Sequence, residues 1–253
     1  MGEKSIRVRV PGTSANCGPG FDTIGIACTI YNELELKLKQ KPGLNIEISG
    51  EGAANIPRDA RNIVWRSIQH LLRKAHKDKE YLGADIIMKN EVPLSRGLGS
   101  SAAAIVAGLK AANILVGNLF SRREILQMAT DIEGHPDNVA PAIFGGFTIT
   151  VMHDRHPECF SFIPKLPLKL VVAVPEFPLS TRMARSVLPE QVPLKDAIFN
   201  VSRASLLVAS LCRGNTHFLQ HAFEDALHQP YRAKLIPGMY DVIKAAKGAG
   251  ALG

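Results

Sequence analysis

Apolar side chains fall on every second position of Ser5-Ile6-Arg7-Val8-Arg9-Val10, the period of a half-buried strand. The same alternation over 33–38, 44–49 and 84–88 predicts further strands, with another near Ile24 and two more over 147–152 and 168–174. Between them the period lengthens. Residues 61–75 carry Ile63, Ile68, Leu71 and Leu72 on one side of a helix, and Trp65 reads as core. A run of Ala, Val, Ile and Leu from Ser100 to near Val116 predicts a buried helix. Ser121-Arg122-Arg123-Glu124 is a capping-box start for the next, which presents Glu133 near its end. Residues 134–141 read as a Gly/Pro-rich polar loop. Helices follow over 195–212, 215–227 and 239–246. The link 153–167 carries three prolines and reads as irregular, so the domain boundary is placed there, with domains 1–160 and 161–253. Strands and helices mixed in this way make an α+β protein.

Composition narrows the partners. At 46% hydrophobic and 21% charged residues the 253-residue chain is globular, not disordered. Thirty Lys and Arg against 23 Asp and Glu leave a net charge of +7, which favours anionic ligands. The basic residues are scattered and aromatics few, so no nucleic-acid surface is expected. No apolar run reaches the roughly 18 residues of a membrane span, and residues 1–10 do not resemble a signal peptide, so a cytoplasmic protein is expected. Cys17, Cys28, Cys159 and Cys212 lack C-x-x-C spacing and read as reduced thiols. His217, His221, His228 and Glu224 fit no common zinc spacing and read as solvated or packing groups.

The stretch from Pro93 through Arg96, Gly97, Leu98, Gly99, Ser100, Ser101 and Ala102 follows a predicted strand and opens the Ala-rich helix. Glycines let backbone approach a ligand closely, and a helix start offers free N–H groups with partial positive charge. This is a phosphate-binding loop. The nucleotide P-loop is excluded because no Lys follows Gly99. A dinucleotide fingerprint wants a strand running into the first Gly and an acidic residue about 20 positions on, and neither is present. The earlier Gly/Pro-rich stretch 11–22 has Asn16 and Asp22 as its strong polar side chains, either facing a ligand or closing Asx turns. Glu133 beside its polar loop is a candidate Mg²⁺ ligand, or else a surface carboxylate with Asp137 capping a turn. Arg182 and Arg185 can each fork onto a carboxylate or phosphate.

Together, 93–103, 11–22 and Glu133-Gly134-His135-Pro136-Asp137-Asn138-Val139-Ala140-Pro141 resemble the GHMP small-molecule kinases. The last two are similar to the branch that phosphorylates homoserine, as are Ser180-Thr181-x-x-Ala184-Arg185 and 230–237. The resemblance implies a GHMP kinase fold: an N-terminal domain like ribosomal protein S5, with a left-handed βαβ unit, packed on a ferredoxin-like C-terminal domain. It implies phosphoryl transfer from ATP, with Mg²⁺, to the hydroxyl of L-homoserine on the way to threonine, by a homodimer. The loop from Pro93 to Ala102 would cradle the ATP phosphates, Ser101 and Glu133 would hold Mg²⁺, and Asn62 would lie near adenine. Asn16 and Asp22 would contact the homoserine hydroxyl and ammonium, with His135, Thr181, Arg185 and Arg232 completing its site. Asn138 stands where relatives such as mevalonate kinase carry a proposed base, and an amide cannot take a proton. Direct attack by the substrate hydroxyl is therefore expected, with Asp137 the remaining candidate base. A kinase for another small alcohol and a catalytically impaired nucleotide-binding relative are the alternatives. Cys17 and Thr13 replace the branch's usual Leu and Ser. The superfamily's third motif is present only as Gly250-Ala251-Leu252-Gly253, so a C-terminally truncated second domain and poor catalysis are expected.

Overall fold

In a computed structural model, which describes residues 4–177 and 179–253, the alternating segments assemble into one six-stranded sheet. β1 (Ser5–Ala15) lies antiparallel to β2 (Ile24–Lys39), with a register irregularity between Pro11 and Thr13. The strands expected near Ile24 and over 33–38 are thus one 16-residue strand. β3 (Gly43–Gly50) is joined through α1 (Ile63–Lys74) to its parallel neighbour β4 (Gly83–Asn90), forming a βαβ unit. β4 pairs with the second half of β2. After α2 (Ser100–Leu115), α3 (Arg122–Glu133) and α4 (Pro136–Phe144), β5 (Phe147–His153) pairs with Ile24–Ile26 at the start of β2.

Several sequence expectations need correction. Residues 134–141 are not a loop: Gly134 ends α3 at φ 96°, and Pro136 at the first position of α4 starts a new helix. The link after β5 is not irregular either. His156–Phe162 forms β6, antiparallel to β5. Its hairpin turn places Asp154 and Arg155 at φ 48° and 66°, without the Asn-Gly or Asp-Gly signature that announces such turns. Residues 168–174 form no strand, and Val171 is 94% exposed, because no described sheet edge lies alongside to pair them. The chain continues through α5 (Thr181–Ser186) and α6 (Leu194–Arg213). The helix expected over 215–227 is only α7 (Thr216–Leu219). Asp225 instead accepts the backbone N–H groups of Leu227, His228 and Gln229, which competes with helix continuation, so His217, His221 and His228 share no helical face. α8 (Gln229–Arg232) and α9 (Met239–Gly248) complete the described elements, and among the described residues no helix is long and apolar enough to cross a membrane.

Two cores fix the arrangement. The larger joins the sheet to α1, α2, α3 and α4 through Val10, Leu36, Ile68, Ile86, Ile105, Leu109, Leu126 and Val139. α2 supplies mostly small side chains, and a Cβ on its Gly108 would stand 2.8 Å from the Val64 carbonyl of α1, so glycine permits that close crossing. The smaller core packs Leu207 and Leu211 of α6 with Leu219 and Ala222 against Ile24, Ile26 and Phe147. It seats the C-terminal helices beside the loop between β1 and β2.

Candidate active site

The N-terminus of α2 is capped by Gly99 in the left-handed region (φ 62°), with no side chain closing the first turn. The loop before it is fastened from below, where the Thr13 N–H donates to the Leu98 carbonyl at 2.9 Å. A Cβ on Gly99 would lie 2.0 Å from Thr13 Oγ1. Gly97 (φ 72°) has nothing within 4 Å of a built Cβ. The two serines part company. Ser100 is buried and its hydroxyl donates to the Val92 carbonyl at 3.4 Å, whereas the Ser101 hydroxyl donates to Glu133 Oε2 at 2.9 Å. Burial pushes the Glu133 carboxyl above its ordinary range, against the Ser101 hydrogen bond.

α4 brings a second set of polar groups to the same place. His135 precedes the helix with extended backbone, and its Nδ1 lies 2.5 Å from Asp137 Oδ1, a carboxylate only 3% exposed. That hydrogen bond raises the imidazole pKa against the opposing effect of burial. Thr13 Oγ1 donates to Asn138 Oδ1 at 2.9 Å, so one buried threonine ties the glycine-rich loop through its backbone N–H and α4 through its hydroxyl.

The β1–β2 loop winds tightly, with Asn16, Cys17 and Asp22 at φ 70°, 45° and 56°. Asn16 Oδ1 accepts the Asp22 N–H at 3.0 Å, the local role left open by the sequence. Burial pushes the Cys17 thiol up to about 12. Both oxygens of Asp22 are held by Arg185 of α5, at 2.9 and 2.7 Å. Arg232 of α8 donates from Nε to the Ala184 carbonyl at 3.2 Å. The two guanidinium carbons lie 5.6 and 5.1 Å from the Phe21 ring centroid. Burial and the nearby Arg185 charge lower the Arg232 pKa, as expected where two cations share a half-buried site. His228 stacks on Phe21 at 5.1 Å, and its Nε2 lies 2.8 Å from the Gly18 carbonyl. Buried Asn200 ties the Pro19 carbonyl to the Ala226 N–H.

The glycine-rich loop, Glu133, the polar start of α4, Asn16, Asp22, Arg185 and Arg232 border one cavity of about 1120 Å³. Of the residues singled out in the sequence, Asn16, Asp22, Arg96, Gly97, Leu98, Gly99, Ser100, Ser101, Glu133, His135, Asn138, Thr181, Arg185 and Arg232 line it. Asn62 does not. It caps α1, accepting from the Val64 N–H at 2.9 Å and donating to the Pro57 carbonyl at 2.7 Å, so its neighbours Arg61 and Ile63 face the cavity instead. Pro93 and Ala102 are likewise outside the lining. The sequence reading also missed Asn55–Pro57 as a wall, the Phe21–His228 stack and the link through Thr13. The substitution at position 13 is visible in the sequence, but the group its hydroxyl meets, the Asn138 amide oxygen, depends on the fold.

The GHMP kinases N terminal domain family matches residues 62–146. A homoserine kinase of Carboxydothermus hydrogenoformans is 47% identical over 246 residues, covering 97% of this chain and 80% of that protein. One from Moorella thermoacetica is 44% identical over 97% of this chain and 81% of its own length. Among solved structures, homoserine kinase from Cytophaga hutchinsonii superposes with a TM-score of 0.84 at 35% identity, covering 100% of this chain and 82% of that one. L. major mevalonate kinase, 16% identical with a TM-score of 0.71 over 99% of this chain and 83% of its own, shares the fold. With its glycine-rich loop at the start of α2, its Glu133 and Asp137 carboxylates and its pair of arginines held in one α+β framework, the chain belongs to the homoserine kinases of the GHMP kinase superfamily.

Proposed function

We propose that the large cavity transfers the γ-phosphoryl group of ATP to the hydroxyl of L-homoserine. The observation that carries this reading is that a glycine-rich turn at the start of α2, the Ser101–Glu133 pair and the Arg185 fork on Asp22 border one space. The backbone amides of the Gly97–Gly99 turn and the start of α2 bind the triphosphate. Ser101 and Glu133 hold Mg²⁺. Their hydroxyl and carboxylate, 2.9 Å apart, suit a cation that takes one or two carboxylates plus phosphate oxygens. Among the described residues no cluster of three or more His, Cys, Asp or Glu is set up for a metal, so the donor set is this sparse, substrate-completed kind. The ion supplies charge neutralisation on the phosphates.

Arg185 and Arg232 hold the homoserine carboxylate. Asp22 takes its ammonium once Arg185 turns to the substrate. Asn16 and Asn138 orient the hydroxyl, and His135 with Thr181 closes the pocket around it. Phosphoryl transfer needs positioning and charge stabilisation more than covalent help. The hydroxyl attacks directly, and its proton leaves late to phosphate or solvent.

The test is a coupled ADP-release assay over homoserine, serine, threonine and mevalonate, with ³¹P NMR of the product. Homoserine should be preferred and a phosphate monoester should appear on its side-chain oxygen. Preference for mevalonate, or ATP consumption without a new ester, would overturn the reading.

A further inference from the structure

A second cavity, of about 510 Å³, shares no lining residue with the first. Arg9 of β1, Lys110 of α2 and Arg122 at the start of α3 all line it, and no Asp or Glu does. Among the described residues none of the three forms an ion pair. Glu33, opposite Arg9 in the strand register, makes none with it either. Three uncompensated cations in one concavity repel each other, and the repulsion is legible at Lys110. Its pKa is lowered by burial first and by the Arg122 charge second.

The cavity is also built to hold something flat or compact. The Arg9 guanidinium carbon sits 3.8 Å from the centroid of the Tyr31 ring, a stacking that fixes the fork while leaving its edge donors free. The C-terminal end of α4 contributes its carbonyl side at Phe144 and Gly145, worth about half a negative charge. Three full positive charges outweigh it.

We propose that this second cavity binds a small oxyanion, the phosphate or carboxylate group of a metabolite, between Arg9, Lys110 and Arg122. Charge-assisted hydrogen bonds from guanidinium and ammonium donors match such oxygens, and removal of the mutual repulsion adds to the gain on binding.

Inorganic phosphate and malonate serve as probes, each titrated calorimetrically at constant ionic strength. The large cavity is first saturated with a non-hydrolysable ATP analogue, so that the phosphate loop cannot contribute. Saturable binding of one or both probes is expected, weakened at least about tenfold in Arg122→Gln and in Arg9→Gln, with affinity for the ATP analogue unchanged. Both variants alter exposed side chains, so folding is retained where Lys110→Met fails. Phosphate binding alone identifies a phosphate ester as the class, malonate alone a carboxylate, and both a general oxyanion. Absence of saturable binding, or unchanged affinity in both variants, overturns the proposal.

Discussion

Arg185 grips both carboxylate oxygens of Asp22 from the far side of the cavity, 163 residues on in the chain. The two side chains are 36% and 35% exposed, so solvent screens the pair and its net worth is on the order of 1 kcal/mol or less. Under the proposed function, a substrate carboxylate of the same geometry would displace Asp22 without a large cost, with Asp22 keeping the guanidinium aimed until then.

Replacing Arg185 or Arg232 by Ala should raise KM for homoserine about tenfold or more, equivalent to ~1.4 kcal/mol of lost charge-assisted binding. Affinity for ATP should hardly change. Equal loss of ATP binding in both variants would remove these arginines from the amino-acid side of the site.

The two loop glycines should not respond alike. Gly99→Ala places a Cβ 2.0 Å from Thr13 Oγ1 at a positive φ, so the loop must shift and nucleotide affinity should fall at least about tenfold. Gly97→Ala meets open space and carries only the left-handed backbone cost of about 1 kcal/mol. Measured nucleotide affinities that rank the other way would contradict the loop geometry.

Under the proposed function, Ser101→Ala and Glu133→Gln should each weaken the apparent Mg²⁺ affinity during turnover by about tenfold or more, the first by removing an oxygen donor and the second by removing the carboxylate charge. Binding of metal-free nucleotide should persist. A Mg²⁺ titration of initial rates distinguishes this from a general loss of the site.

Asn138→Ala should retain measurable turnover, because its amide orients and accepts no proton. Loss of a true base typically costs 10²- to 10⁴-fold in rate. Asp137→Asn is the companion variant. If it folds, binds both substrates and yet loses about 10³-fold in kcat, direct attack without a base is wrong.

The His135–Asp137 contact gives a pH signature. The folded imidazole has a raised pKa, chiefly from its hydrogen bond to Asp137. Its stabilisation is complete below the ordinary value of 6.5 and is lost as pH rises through the higher folded value. The stability gap between the parent chain and His135→Ala should thus narrow as pH rises from about 6 to 9. Urea midpoints across that range measure it, and a gap independent of pH would refute the linkage.

Local chemistry made much of this molecule readable. Ser121 and Glu124 formed the expected capping box, and the Ala-rich run after Gly99 became a buried helix because both signals act within a few residues. The glycine-rich loop could be placed at a helix start for the same reason. What escaped was decided by turn geometry and by tertiary contact. Asn62 carries a family expectation as an adenine neighbour, but its amide is consumed by Val64 and Pro57, a choice made by how the 55–62 turn folds back. His228 reads as an ordinary packing histidine, and only tertiary contact shows that it backs Phe21 behind two arginines. β6 hid behind a hairpin turn of Asp154 and Arg155, residues that rarely announce positive φ.

The Thr13–Asn138 hydrogen bond spans 125 positions of the chain, and the Thr13–Leu98 bond spans a further long interval within it. Loop-closure entropy therefore predicts that the glycine-rich loop is completed late in folding. Closing so large an interval loses chain entropy that neither bond can offset alone, so it must wait for the sheet and α2 to form. During synthesis the N-terminal strand emerges first and has to remain available until α4 follows. A nascent chain stalled before residue 138 can hold a folded sheet edge and still lack a finished nucleotide site.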